Sequence, residues 1–170
     1  MSRPQSNVTK LFLSFLLLSS VDARALDLKG VTVGAKVLPY DVSQALGIDC
    51  FEHSCAGKTT VVGLDAGVTV AYSGDWIVDT ITVNFLADDY DRIEKACVAK
   101  FGKPKTSQTH VLNNAMGGRF RKFDLMWETA DGSLALLTNV GDNLRPSLLI
   151  ESREAFAAFQ AKRAKSAHDL

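Results

Sequence analysis

Histidine is scarce in this chain, with 3 in 170 residues, as are cysteine, also 3, and proline, 4. Neither sign of charge is in excess, since 19 Lys and Arg face 19 Asp and Glu. His53, His110 and His168 lie far apart in the sequence and no Gly-x-Ser-x-Gly occurs, so nothing announces a hydrolase. Four residues separate Cys50 from Cys55, which excludes a Cys-x-x-Cys redox pair. The balanced charge argues against nucleic acid as a partner. No apolar run reaches the roughly 20 residues that a membrane helix needs. Low-complexity segments and Pro/Gly/Ser linkers are also missing before the last dozen residues.

What is present starts with an export signal. Arg3 and Lys10 supply a positive start, residues 11–18 (LFLSFLLL) are a short apolar run, and Ala23-Arg24-Ala25 fits a small-x-small cleavage site. Residues 1–25 therefore read as a signal peptide cut after Ala25, with no cysteine there to carry a lipid anchor. Cleavage removes Arg3, Lys10 and Arg24 with Asp22, leaving 16 basic and 18 acidic residues. Residues 26–170 are long enough for one domain with a real core. The expected location is the periplasm, with no stable membrane insertion after cleavage.

The best-specified stretch runs from Trp76 to Pro104. Ile77, Ile81, Val83 and Phe85 alternate with Val78, Thr80, Thr82 and Asn84, which predicts a half-buried strand. After Leu86 the period lengthens, and Tyr90, Ile93, Cys97 and Phe101 define one face of a helix. Asp88, Asp89 and Asp91 are placed to cap its start, while Gly102 and Pro104 stop it. Cys97 on the apolar face reads as a buried, inert thiol.

Before this stretch, residues 28–33 are a short strand or lead-in, and 41–47 a short helix begun after Pro39 and ended at Gly47. Residues 59–64 and 68–72 are strands, joined by a turn at Asp65-Ala66-Gly67, and Ser73-Gly74-Asp75 turns into the next strand. Beyond Pro104, strands are expected at 109–112, 119–129, 134–140 and 147–151. Asn113 to Gly118, Ala130-Asp131-Gly132 and Gly141-Asp142-Asn143 connect them. Phe120 is out of phase with Phe123, Leu125 and Trp127, which predicts a bulge or late start near Arg121. Ser152 can cap a final helix with Phe156 and Phe159 as its contacts, and 166–170 form a fraying tail.

Short hairpin turns imply antiparallel pairing. The fold class is thus α+β: an antiparallel sheet of six to seven strands with helices on one face, in two loosely repeated halves that meet near 86–88.

Three clusters of reactive residue types need weighing. Gly57-Lys58-Thr59-Thr60 resembles the end of a phosphate-binding loop, but Glu52 occupies the position of its first glycine and would repel phosphate. Cys50, His53 and Cys55, with a fourth ligand from His110 or elsewhere, could hold a zinc or copper ion or respond to redox state. In an oxidising compartment a Cys50–Cys55 disulfide is the simpler expectation, with no metal and no cofactor. The remaining cluster is Arg119-Phe120-Arg121-Lys122-Phe123, the one basic run, with aromatics interleaved. On a strand, Arg119, Arg121 and Phe123 share a face that could grip an anionic partner; the plainer reading of the same charges is a solvated strand edge, and the run is the first place to look for a binding surface.

Val33-Gly34, Val42 and Ala45-Leu46-Gly47 in the first half, and more closely Phe101-Gly102-Lys103-Pro104 in the second, resemble the helix ends of small exported domains of the BamE outer-membrane assembly factor and β-lactamase-inhibitor-like group. That resemblance, over about residues 33–104, implies helices laid on an antiparallel sheet. Gly47 departs from it, being followed by Ile48-Asp49 rather than x-Pro, and the lipidated cysteine of the assembly factors is missing. The functional expectation is a non-catalytic periplasmic protein that binds another cell-envelope component as inhibitor, adaptor or assembly factor. Arg119, Arg121, Lys122 and Phe123 are the expected surface and no catalytic residue is assigned.

Overall fold

A computed structural model describes residues 26–113, 116–129, 132–140 and 145–168. The expected signal peptide lies outside them, as do turn positions 114–115, 130–131 and 141–144 and the last two residues of the expected tail. A ribbon of β1 (Asp27–Leu28) and β2 (Val31–Thr32) precedes helix α1 (Pro39–Leu46). Strands β3 (Asp49–Phe51), β4 (Ser54–Val61), β5 (Leu64–Ser73) and β6 (Ile77–Asn84) follow, then α2 (Tyr90–Phe101). Strands β7 (Thr106–Asn113), β8 (Arg119–Glu128), β9 (Leu134–Val140) and β10 (Ser147–Glu151) lead into α3 (Arg153–His168).

Strands β3 to β10 form one antiparallel sheet of 8 strands in the order β3-β4-β5-β6-β10-β9-β8-β7. This exceeds the expected six to seven. Each half is a helix followed by a four-stranded meander that runs from an outer edge to the middle, where β6 and β10 pair. The repeat inferred from the two helix-ending signals is thus present in the topology. A 3-10 turn at Ala87–Asp89 lies between β6 and α2.

Alternation decides which face is buried. Along β5, Leu64, Ala66, Val68, Val70 and Tyr72 are buried at every second position. Register then aligns the strands, so that Cys50, Cys55, Val70, Ile81, Ile150, Ala135 and Trp127 form one row of cross-strand partners. All but Cys50 in that row are buried. Val42 and Leu46 of α1, and Ile93 and Cys97 of α2, join the same core cluster. Burying each large aliphatic side chain contributes roughly 1.5–3 kcal/mol. Among the described residues α3 adds none to this cluster. Its expected contact Phe159 is 49% exposed.

Local chemistry overrides the expected turns in several places. The hairpin at Asp65-Ala66-Gly67 is replaced by one at Val62-Gly63, where both residues have positive φ (55° and 72°), as a tight two-residue turn requires. The period-two pattern runs through Asp65 to Gly67 without a break, and burial of Ala66 outweighs the Asp-x-Gly signal. The bulge expected near Arg121 is not there, since β8 keeps unbroken register with β7 from Arg119 to Met126. Phe120 simply pairs with Leu112. A register shift occurs instead between β5 and β6, where Ala71 pairs with Thr80 but Tyr72 with Val78. Asp79 is the extra residue, and it reverses the phase expected for Ile77 and Val78: Val78 is fully buried and Ile77 is 36% exposed. The carbonyl freed there accepts the Ser152 N–H at 2.8 Å, which ties the start of α3 to β6.

Helix ends follow the sequence more closely. Gly47 takes the left-handed conformation (φ 67°, ψ 37°) and its N–H bonds to Ser43 O. Gly102 also has a positive φ, 82°, and bonds to Val98 O. Ser152 Oγ accepts the Ala155 N–H at 3.1 Å, the expected cap of α3. The helix continues to His168, past the point where fraying was expected. The aspartates before α2 make no side-chain cap bond, and the Asp89 N–H is satisfied by Leu86 O in the 3-10 turn.

Lys100 ties α2 to the N-terminal ribbon, through Asp27 Oδ1 at 2.9 Å and Asp27 O at 2.7 Å. Burial pushes the Asp27 carboxyl up, but hydrogen bonds from Lys100 and the Gly30 N–H, with the lysine charge, outweigh it and hold the group below its ordinary value. A carboxyl with a depressed folded pKa stabilises above its unfolded value, about 3.9, and loses that contribution as pH falls through the lower folded value. Asp27→Asn is therefore expected to lower the melting temperature by a few degrees at pH 7, with the gap to wild type closing below about pH 4. Melting curves from pH 2 to 7 check this; a gap that persists at low pH contradicts it.

Candidate functional site

The sequence-predicted basic run lies on β8, one strand in from the sheet edge formed by β7. Register pairs Asn113 with Arg119, Val111 with Arg121 and Thr109 with Phe123, so these six residues share one face of the β7–β8 hairpin. It is the same face that carries Leu125 and Trp127 into the core. Burial falls away along β8: Trp127 and Leu125 are buried, Phe123 is 37% exposed, and Arg121 and Arg119 are exposed. The cause is the reach of α2. Phe101 packs against Trp127 with ring centroids 5.9 Å apart, and at the other end of the helix Tyr90 and Phe123 line one shallow surface pocket. Beyond Tyr90 the hairpin runs on, and Val111, Asn113, Arg119 and Arg121 on its former core face are exposed among the described residues.

Tyr90 sits at this boundary with its hydroxyl pKa pushed up to about 12, first by burial and then by the carboxylates of Glu94, Asp124 and Asp91. It is a neutral phenol at any working pH. Val111 is 55% exposed and Leu112, on the other face, 41%, so the distal hairpin exposes apolar side chains beside two guanidinium groups. Such a surface can hold an anion by fork-like hydrogen bonds and bury an apolar group next to it.

Lys122 does not belong with Arg119, Arg121 and Phe123. It points to the opposite face, paired with His110 across the ladder, and its ammonium lies 2.9 Å from Asp124 Oδ2. His110 Nε2 is 3.7 Å from the same oxygen. Asp124 Oδ1 and the hydroxyl of Thr138, its register partner on β9, are buried without a hydrogen-bond partner among the described residues. Lys122 thus compensates a half-buried carboxylate rather than offering a free cation.

At the opposite sheet edge Cys50 and Cys55 face each other on β3 and β4, with Cα atoms 3.9 Å apart, and form a disulfide. The stretch read as a loop is a hairpin whose bend includes Glu52 at φ 40°. Cys55 Sγ has no proton to give once bonded, so the Tyr72 hydroxyl is the donor in their 3.6 Å contact. Burial raises the Tyr72 pKa, with Asp41 adding to it. Tyr72 meets Trp76 edge to face at 5.7 Å, and His53 lies 6.3 Å from the same indole. Cys50 and Cys55 are thus held as the pair expected in an oxidising compartment, with His53 beside Trp76. Among the described residues no group of three or more His, Cys, Asp or Glu could hold a metal ion.

Gly57 in the Gly-Lys-Thr-Thr stretch has a packing role that the sequence did not reveal. It lies within β4 opposite Val68, and a Cβ there would come within 2.9 Å of the Ile48 side chain. Cys97 is buried as expected, and burial pushes its thiol up to about 12.

A comparison of the chain with protein-family models, curated proteins and solved structures finds no match. Among the described residues no helix is long and apolar enough to cross a membrane.

Proposed function

We propose that this is an exported, non-catalytic protein of the periplasm that binds another component of the cell envelope, as inhibitor, adaptor or assembly factor. The observation that carries the reading is the bare distal face of the β7–β8 hairpin, where Arg119 and Arg121 stand beside Val111 and Phe123 beyond the cover of α2. The disulfide and the signal-like residues 1–25 support export. The helix ends that resemble inhibitor-like and assembly-factor domains point the same way.

Strand β7 suggests how a partner is held. It is eight residues long, forms the sheet edge, is exposed at every position after Thr106, and contains no Lys, Glu, Asp or Pro to discourage pairing. An extended segment of a partner protein adds to this edge by main-chain hydrogen bonds, and its acidic side chains meet the arginines one strand in.

Capture from an envelope extract is expected to return one stoichiometric partner. Arg119→Glu combined with Arg121→Glu should weaken that complex at least tenfold, about 1.4 kcal/mol, while leaving the melting temperature within error. Both side chains are exposed, so a large loss of stability is not expected. Undiminished capture by the double variant removes the proposed surface.

A further inference from the structure

Beneath α2 lies a cavity of about 200 Å³. Its walls are Ile93, Cys97 and Phe101 from the helix, Phe85, and Leu148 and Ile150 from β10. These are core residues: Phe85, Ile93 and Ile150 are each 1% exposed, yet they do not fill the space between them. An apolar cavity of about 150 Å³ stays dry and takes up benzene, so this larger one is a plain receptor for an apolar group. It is smaller than the roughly 300–1,000 Å³ of sites for drug-sized ligands, which restricts the occupant to a short chain or a single ring.

The mouth has a different character. Val62, at the β4–β5 turn, is 59% exposed on its rim. Lys29, Lys100 and Asp27 are the charged groups lining it among the described residues. The Asp27 carboxylate is taken by Lys100 and the Gly30 N–H. Lys29 donates only to the neutral Thr59 hydroxyl, at 3.2 Å, and has no carboxylate partner among the described residues. An apolar interior with one uncompensated ammonium at its rim is complementary to an amphiphile carrying a single negative charge. A cationic or zwitterionic amphiphile gains nothing there.

We propose that this cavity binds a small aliphatic monocarboxylate, about the size of an eight-carbon fatty acid, with the chain between α2 and β10 and the carboxylate on Lys29. The site is independent of the β7–β8 hairpin, and its occupancy need not alter partner binding. By filling the space under α2 and drawing Lys29 toward the mouth, the ligand also ties the N-terminal ribbon more firmly to the helix.

Calorimetric titration of the purified protein with octanoate, octanol and octylammonium separates the contributions. Octanoate is expected to bind one equivalent, octanol at least tenfold more weakly, and octylammonium not measurably. Lys29→Gln should bring octanoate down to the level of octanol. Ala96→Phe, which adds a ring to the cavity wall from α2, should abolish binding of both while the circular dichroism spectrum is kept. If Ala96→Phe does not fold, methyl resonances decide the matter in the unmodified protein: those of Ile93, Leu148 and Ile150 should shift as octanoate is added. Absence of one-site octanoate binding, equal binding of octylammonium, binding that survives Ala96→Phe in a folded protein, or unmoved methyl resonances would each overturn the proposal.

Discussion

Trp127→Ala is expected to remove about 3–5 kcal/mol of folding free energy, the range for truncating a buried large aromatic side chain. Trp127 is 3% exposed, belongs to the row of partners that crosses the sheet, and stacks at a tilt on Phe101. Its indole Nε1–H also donates to Gly102 O at 2.8 Å, so one side chain joins β8 to the last turn of α2. The truncation leaves a cavity, an unsatisfied carbonyl and a helix held mainly by Ile93 and Cys97. Domains of this size are stable by about 5–15 kcal/mol in all, so a large part of the margin is lost. Trp127→Phe keeps a ring in place and gives up the hydrogen bond, with an expected loss of about 1–2 kcal/mol. Urea unfolding followed by circular dichroism distinguishes the two. Equal midpoints for the variants would mean that packing under α2 matters less than the structure implies.

The second large effect is expected from the disulfide. Reduction, or Cys50→Ser with Cys55→Ser, should lower stability by about 2 kcal/mol on the chain-entropy relation for a short loop. Part of the effect is local. Cys50 Sγ lies 3.1 Å from Pro39 O at the start of α1, so freeing β3 loosens the helix that buries Val42 and Leu46. Intact mass before and after reduction should differ by two hydrogens, and the urea midpoint should fall with reductant. Cys97 offers an internal control: its buried, high-pKa thiol should resist alkylation in the folded protein under both conditions. An unchanged midpoint on reduction would show that β3 contributes little to the fold.

The elements legible in the sequence are those whose signals are local and redundant. For α2, three kinds of mark agreed: the spacing of Ile93, Cys97 and Phe101, the glycine at 102 and the proline at 104. The helix lies where they place it. Gly47 and Ser152 marked real helix boundaries for the same reason. What was not legible depended on partners distant in the chain. The phase of Ile77 and Val78 turns on the extra residue Asp79, whose carbonyl is used by Ser152. Gly57 reads as a fragment of a phosphate loop until Ile48 is seen against it. Of the candidate surface, parity along a strand was enough to group Arg119, Arg121 and Phe123. Where α2 stops covering them could not be read, since that requires the register of β8 against its neighbours. The same parity puts Lys122 and Asp124 together on the opposite face, a pairing within one strand that the sequence reading passed over.

The pairing of β6 with β10 bears on when the fold can form. Those two strands make the middle of the sheet, yet one is finished before α2 begins and the other is nearly the last element of the chain. Ile81 and Val83 find their neighbours Ile150 and Leu148 only after almost everything else has been made. Long-range pairing of this kind raises contact order and slows folding. A chain emerging in order from its N-terminus can assemble the first meander, but that meander keeps one side of β6 unpaired until β10 arrives. The seam is therefore closed last, and a protein truncated before Ser147 should behave as an incompletely folded chain however much of its sequence remains.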